Sequence, residues 1–157
     1  MDANVKTPQE FAGGTTRKNS HQSYSGTGSS KSNISISTHT IQSTAGTVTL
    51  NGVVTFVGPD AVVVMGGGDK PHIGAVAIGE PRPSLDNPIN SSSSASVYCR
   101  VGHKEDLLAR EAALRLAKRW NCAVTVTVGI HFNEVTGKDF KDTEAAFQKL
   151  LASLEAL

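Results

Sequence analysis

Three imidazoles fall at the ends of three separate segments of this sequence, each with charged company. Asp69, Lys70 and His72 follow a run of three glycines, His103, Lys104 and Glu105 precede an alanine-rich stretch, and His131 ends a run of valine and threonine. Neutral imidazoles with one carboxylate make a ligand set for a divalent metal such as Zn, Mn or Fe, which would use His72, His103, Glu105 and His131. Lysine, protonated histidine, glycine N–H groups and a helix N-terminus would instead hold a phosphate, and a metal bridging to phosphate would satisfy both. Each histidine alone is more often a hydrogen-bonded structural residue than a ligand. The case rests on whether the fold brings them together.

The elements that must position them can be read from periodicity. Val62 to Met65 and Ile73 to Ile78 are apolar and largely β-branched, so they read as strands, the second covered on both faces. They are expected to pair as a hairpin about Gly66 to Gly74, whose three successive glycines, Gly66, Gly67 and Gly68, permit a tight turn and close approach of an anion. Ser96 to Val101 would then run back antiparallel and deliver His103 beside His72. Glu105 and Asp106 open a helix whose apolar face is Leu108, Ala109, Ala112, Ala113, Leu116 and Trp120, ended by Asn121. A right-handed crossover brings Ala123 to Ile130 up parallel to its predecessor, so His131 reaches the same rim. The last helix, about 138 to 156, buries Phe140, Phe147, Leu150, Leu151, Leu154 and Leu157.

Upstream, Ile34 to Thr40 alternates with period two. Thr47 to Val57 is either two short runs about Asn51-Gly52 or one bulged strand, and Gly58-Pro59-Asp60 is a turn. Glu80 to Ala95, with three prolines and a serine run, reads as a long irregular connection in which Arg82 is held extended, a candidate clamp for an anion. The class is α+β: a mostly antiparallel sheet with a C-terminal strand-helix-strand-helix unit and helices on one face. Residues 1–32 hold too little apolar surface to order and read as a disordered Ser/Thr/Gly-rich tail, leaving 33–157 as the domain.

Composition narrows the functions. Fifteen basic side chains against 14 acidic ones, with 5% aromatics, give no basic field or stacking platform for nucleic acid. No apolar run reaches the ~20 residues that span a bilayer and no secretory or transit pattern opens the chain, so a cytoplasmic protein is expected. Cys99 and Cys122, without metal spacing, read as buried free thiols. No serine occupies a strained nucleophile elbow, while metal-assisted hydrolysis with Glu105 as base stays open. Leu107 and Leu114, one heptad apart off the core face, suggest a second contact surface, as in a dimer.

The motifs at Gly67-Gly68-Asp69-Lys70-Pro71-His72-Ile73-Gly74-Ala75-Val76-Ala77, Pro81-Arg82-Pro83-Ser84, Gly102-His103-Lys104-Glu105-Asp106 and Gly129-Ile130-His131 resemble the LpdD-like family over about residues 47 to 157. These are D subunits accompanying UbiD-type phenolic acid decarboxylases such as gallate decarboxylase. The chain departs from the family in its long N-terminal segment, an extra glycine at 66–68 and the serines at 91–94. The resemblance implies a non-catalytic chaperone that takes reduced prenylated FMN from a flavin prenyltransferase to a UbiD-like decarboxylase, as a homodimer with a fold similar to small proteasome-assembly chaperones. It implies cofactor contacts from Gly67, Gly68, Asp69, Lys70, His72, Gly74, His103, Lys104, Glu105 and His131, directly or through a divalent metal. Arg82 and Ser84 would join only across a dimer interface or through a folded-back loop. Candidates for the wall against the ring are Val76, Ile78, Leu107 and Leu114. The alternative is a metal-dependent hydrolase, or an auxiliary decarboxylase subunit with a His/Glu metal site.

Overall fold

A computed structural model describes residues 36–157. The expected tail at 1–32, and Ile34 at the start of the first strand pattern, lie outside the described residues. Eight elements follow in order: β1 (Ile36–Ala45), β2 (Val48–Val57), β3 (Asp60–Gly68), β4 (Ala75–Pro83), β5 (Ser91–Cys99), α1 (Asp106–Trp120), β6 (Val124–His131) and α2 (Gly137–Glu155). The strands form one sheet in the order β1-β2-β3-β6-β4-β5, antiparallel throughout except for the parallel pair β3 and β6. This is the α+β arrangement expected. No helix among the described residues is long and apolar enough to cross a membrane.

Period two decides which side of each strand is buried. Val48, Leu50 and Val54 on β2, Val63 and Met65 on β3, Ala75 and Ala77 on β4, and Val124, Val126 and Val128 on β6 share one buried face. That face packs on Ala109, Ala112, Ala113 and Leu116 of α1 and on Phe147, Leu150, Leu151 and Leu154 of α2. The alternate residues point away from the helices, and Val62, Val64 and Ile78 are 41%, 48% and 50% exposed. The expectation that the Ile73 to Ile78 segment is covered on both faces is therefore corrected: both helices lie on one side, and β-branching here serves the pleat.

Three further expectations change. First, β3 and β4 are not a hairpin: β6 is inserted between them, and the segment from Gly68 to Gly74 crosses over its end. Local sequence carries no signal for a strand that arrives more than 50 residues later. Second, Asn51-Gly52 is not a turn, and β2 runs through it without a break. A Cβ on Gly52 would lie 3.2 Å from the Leu150 side chain, so the missing Cβ there serves the fit of α2 on the sheet. The sharp hairpins use Gly46 and Gly58, at φ of 55° and 61°. Third, the irregular connection shrinks to residues 84–90, because Glu80–Pro83 extends β4 and the serines at 91–94 pair with it in β5. β6 pairs with β4 only as far as Gly79, so Pro81 and Pro83 sit where β4 has become an edge and their missing N–H groups cost no ladder bond.

The helix ends are unlike. α2 opens on a capping box in which the Thr136 hydroxyl accepts from the Asp139 N–H and the Asp139 carboxylate accepts from the Thr136 N–H. α1 opens at Glu105 with no side-chain cap and closes on Asn121 in the left-handed region, as expected for that asparagine.

Candidate functional site

The crossing of the Gly68–Gly74 segment over β6 builds the site. A Cβ on Gly68, at φ of 76°, would run into the His131 carbonyl, and a Cβ on Gly129 would run into the His72 carbonyl. Only bare backbone lets the two segments lie this close. The Asp69 and Lys70 N–H groups both donate to the His131 carbonyl, at 2.6 and 3.3 Å, and the Asp69 carboxylate accepts from the Asn133 N–H at 2.9 Å. The turn's donors are thus engaged in holding β6, and Gly67, packed against Leu50 and the Thr49 carbonyl, belongs to the sheet.

The three imidazoles meet. The His72 ring centroid is 4.7 Å from that of His103 and 5.8 Å from that of His131, each pair edge to face. Nδ1 of His72 lies 3.0 Å from the Lys70 carbonyl, and Nδ1 of His103 lies 3.0 Å from the Val101 carbonyl. Carbonyls only accept, so the network assigns a proton to Nδ1 in both rings and aims Nε2 away from the local backbone. Nε2 of His72 is buried without a hydrogen bond, its nearest acidic oxygen being Glu105 Oε1 at 3.5 Å.

Glu105 is the buried acid of the group. Its Oε1 accepts from the Ile130 N–H at 3.2 Å and its Oε2 from the Lys104 N–H at 3.0 Å. A Cβ on Gly74 would sit 2.6 Å from this carboxylate, so Gly74 leaves the room it occupies. The carboxylate ties the start of α1 to the end of β6, with His72 above it. Among the described residues no group of three or more His, Cys, Asp and Glu side chains is arranged to hold a metal ion. The metal quartet of His72, His103, Glu105 and His131 is together in space but not arranged as a metal centre, and both oxygens of Glu105 already serve backbone donors.

A cavity of about 850 Å³ opens beside the histidines, between the start of α1, the end of β6 and the first turns of α2. One end carries His72, His103, Lys104, His131 and the uncapped N-terminus of α1. The wall is apolar, from Leu107, Leu108, Ile130, Phe132, Val135 and Phe140, and the far end is acidic, with Glu111, Asp139 and Glu144. Thr143 also lines the cavity, and its Oγ1 is a second buried polar atom without a partner. Two of the three such side-chain atoms among the described residues belong to residues that line this cavity, the third being Trp120 Nε1.

The acidic end is held by its own network. Arg115 clasps Glu155 through two nitrogens, at 2.9 and 2.6 Å, and also donates to Glu111 and Gln148, joining α1 to α2 behind the cavity. Hydrogen bonding to Glu155 above all, and to Glu111, pushes the Arg115 guanidinium further up, against its partial burial. Hydrogen bonds from Thr136 hold the Asp139 carboxyl below the usual carboxylate range.

Of the sequence candidates, His72, His103, Lys104, Glu105 and His131 line the cavity, while Gly67, Gly68, Asp69, Lys70 and Gly74 shape or border the turn behind it. Arg82 is elsewhere. It lies at the far end of β4 beside a smaller hollow of about 300 Å³, where its guanidinium donates to Ser94 Oγ at 2.8 Å and the Pro83 carbonyl at 2.9 Å. Of the wall candidates only Leu107 lines the cavity; Val76 and Ile78 are on the bare sheet face. Phe140 and Leu157 are corrected from core to surface, at 70% and 52% exposure, and Phe140 joins the cavity wall instead. The α2 contribution is the part that sequence reasoning missed. Phe140 at the first turn of α2, one step before the buried stripe, was the available signal: a large aromatic on a polar, capped helix end.

A family model described as a prenylated flavin chaperone LpdD-like domain matches residues 44–157. No curated protein matches the chain. Among solved structures, the crystal structure of a chaperone complex for yeast 20S proteasome assembly contains a chain similar to this one, with 18% identity and a TM-score of 0.48, covering 76% of this chain and 96% of that one.

Proposed function

The chain belongs to the prenylated flavin chaperone LpdD-like family, and on that premise we propose that it is a non-catalytic carrier that binds reduced prenylated FMN in the histidine cavity and delivers it to a UbiD-type decarboxylase. One observation carries the assignment of the site: a cavity of about 850 Å³ that has three imidazoles, Lys104 and a helix N-terminus at one end and an apolar wall beside them. A flavin nucleotide complements this arrangement, with an anionic phosphate at one end and a largely apolar ring at the other. Its phosphate suits Lys104, His103, His131 and the uncapped α1 N-terminus, where N–H groups and the helix dipole favour an anion. Its ring suits the apolar wall of Leu107, Phe132 and Phe140, and the volume is within the usual ~300–1,000 Å³ of ligand pockets.

The residues themselves bind, orient and shield. His72 is fixed by Nδ1 on the Lys70 carbonyl, and Glu105 beneath it ties the start of α1 to the end of β6. Phe140 and Leu107, both well exposed, are apolar surfaces that a bound ring would take out of water. The carrier receives its cargo from a flavin prenyltransferase and works as a homodimer in the cytoplasm, where free thiols such as Cys99 and Cys122 persist.

The test is retention. The protein is mixed anaerobically with reduced prenylated FMN, desalted, and read by absorbance and mass spectrometry. The cofactor is expected to travel with the protein, and to be lost from His72→Ala and His103→Ala chains whose circular dichroism is unchanged. Clean separation of cofactor from the unmutated protein overturns the proposal.

A further inference from the structure

Two of the three imidazoles are carried by segments that meet at one residue. β5 ends at Cys99, and the next residue, Arg100, is bonded both to the segment that carries His72 and to the turn that carries His103. Its N–H donates to the Gly74 carbonyl at 2.9 Å, and its Nη1 donates to the Ile73 carbonyl at 2.9 Å. Its own carbonyl accepts from the His103 N–H at 3.1 Å, closing a turn through Gly102, whose φ is 80°. The Cys99 thiol, a weak donor, lies 3.4 Å from the His103 carbonyl and holds the same turn to the end of β5.

The backbone bonds would be made by almost any residue at position 100, but the side-chain bond would not. Residues 71–74 belong to no strand or helix, and Pro71 has no N–H to give. Among the described residues, the Arg100 guanidinium supplies the one hydrogen bond from another segment that falls between Lys70 and Gly74. On the β6 side the same stretch is held by close packing, the His72 carbonyl lying against Gly129. Packing keeps the stretch from sinking into the sheet, and the bond from Arg100 keeps it from lifting off. We propose that Arg100 is a positioning residue for the cavity: through the Ile73 carbonyl it fixes the His72 ring at its distance of 4.7 Å from His103 without itself touching the cargo. Arg100 is exposed and does not line the cavity. Its effect on cargo rests on the carrier reading above, and its effect on the two imidazoles does not.

The full-length chain, with its histidines isotopically labelled, is compared with Arg100→Ala, Arg100→Lys and Arg110→Ala chains by NMR of the imidazole C–H groups, by thermal melting and by anaerobic retention of reduced prenylated FMN. Rings packed edge to face shift one another's signals, so the spectrum reports the separation of His72 and His103 directly. In Arg100→Ala both of those signals are expected to move while that of His39, on β1, stays. Retention should weaken about fivefold, the size of one net hydrogen bond, with the melting temperature lowered by no more than a few degrees. Arg100→Lys keeps a donor on a long stem, and the single bond to Ile73 needs one donor, so it should restore the signals and most of the retention. Arg110→Ala removes the same kind of bond from the Ala95 carbonyl of β5 and should change neither. Unmoved His72 and His103 signals in Arg100→Ala overturn the proposal, and if retention is lost as well they make Arg100 a charge that meets the cargo directly. An unmutated chain that keeps no cofactor sinks the carrier reading, and the imidazole signals then decide for or against Arg100 by themselves.

Discussion

The carbonyl of His72 lies where a Cβ on Gly129 would have to be, so the segment carrying the first imidazole rests directly on the backbone of β6. This contact sets the height of His72 over Glu105 and its distance from His131. Gly129→Ala should push the segment off the strand, lower the melting temperature by several degrees and cut cofactor retention at least tenfold. Gly66→Ala is the comparison, since its Cβ would stand 3.4 Å from the Gly129 carbonyl, a contact the neighbour can yield to. Equal behaviour of the two variants in thermal melts and retention would argue against the crossing as the organising contact.

Glu105 should behave as a positioning residue. Glu105→Ala leaves the Ile130 and Lys104 N–H groups without their acceptor and should cost about 3 kcal/mol in denaturant unfolding. Glu105→Gln keeps one acceptor oxygen and should fall between Ala and the unmutated chain. A Glu105→Gln protein as stable as the unmutated one, yet unable to retain the cofactor, would make the carboxylate a direct ligand instead.

The cationic end should grip the phosphate by charge. Lys104→Ala and His131→Ala should each weaken retention by about tenfold, and added salt should weaken the unmutated protein in the same direction. Lys70→Ala, outside the cavity lining, should change it little. Competition by inorganic phosphate, measured by equilibrium dialysis, reports this end separately from the ring.

The apolar wall should matter for the ring and not for the fold. Phe140 and Leu107 are 70% and 73% exposed, so Phe140→Ser and Leu107→Ser should leave the unfolding midpoint within error while reducing cofactor retention several-fold. Unchanged retention in the double variant would remove the ring from this wall.

The cap of α2 gives a pH signature with a defined sign. Hydrogen bonds from Thr136 lower the Asp139 carboxyl, so the stability this contributes is present above the ordinary carboxylate value and is lost as pH falls through the lowered one. Thr136→Ala should cost about 1 kcal/mol near neutral pH. The gap between variant and unmutated chain should narrow on acidification below the ordinary Asp range of about 4, leaving the part owed to the Asp139 N–H bond to the Thr136 hydroxyl. A constant gap down to strongly acidic pH would show that the carboxylate is not what the cap stabilises.

The sequence by itself determined the elements and the company of the histidines. Period two and period 3.6 placed the strands and both helices, Asn121 marked an end, and the charged residues after Met65, Val101 and Ile130 each stood at the same end of an element. Their convergence needed only the alternation of strand directions, which survives even though the β3–β4 hairpin does not. Tertiary structure alone decided what happens between elements: that β6 enters between β3 and β4, that the turn's N–H groups are taken up by His131, that Glu105 serves two backbone donors, and that Phe140 faces a cavity. Each is a contact between segments far apart in the chain, and local pattern reports a residue's own backbone preference, not the identity of the group that will lie against it.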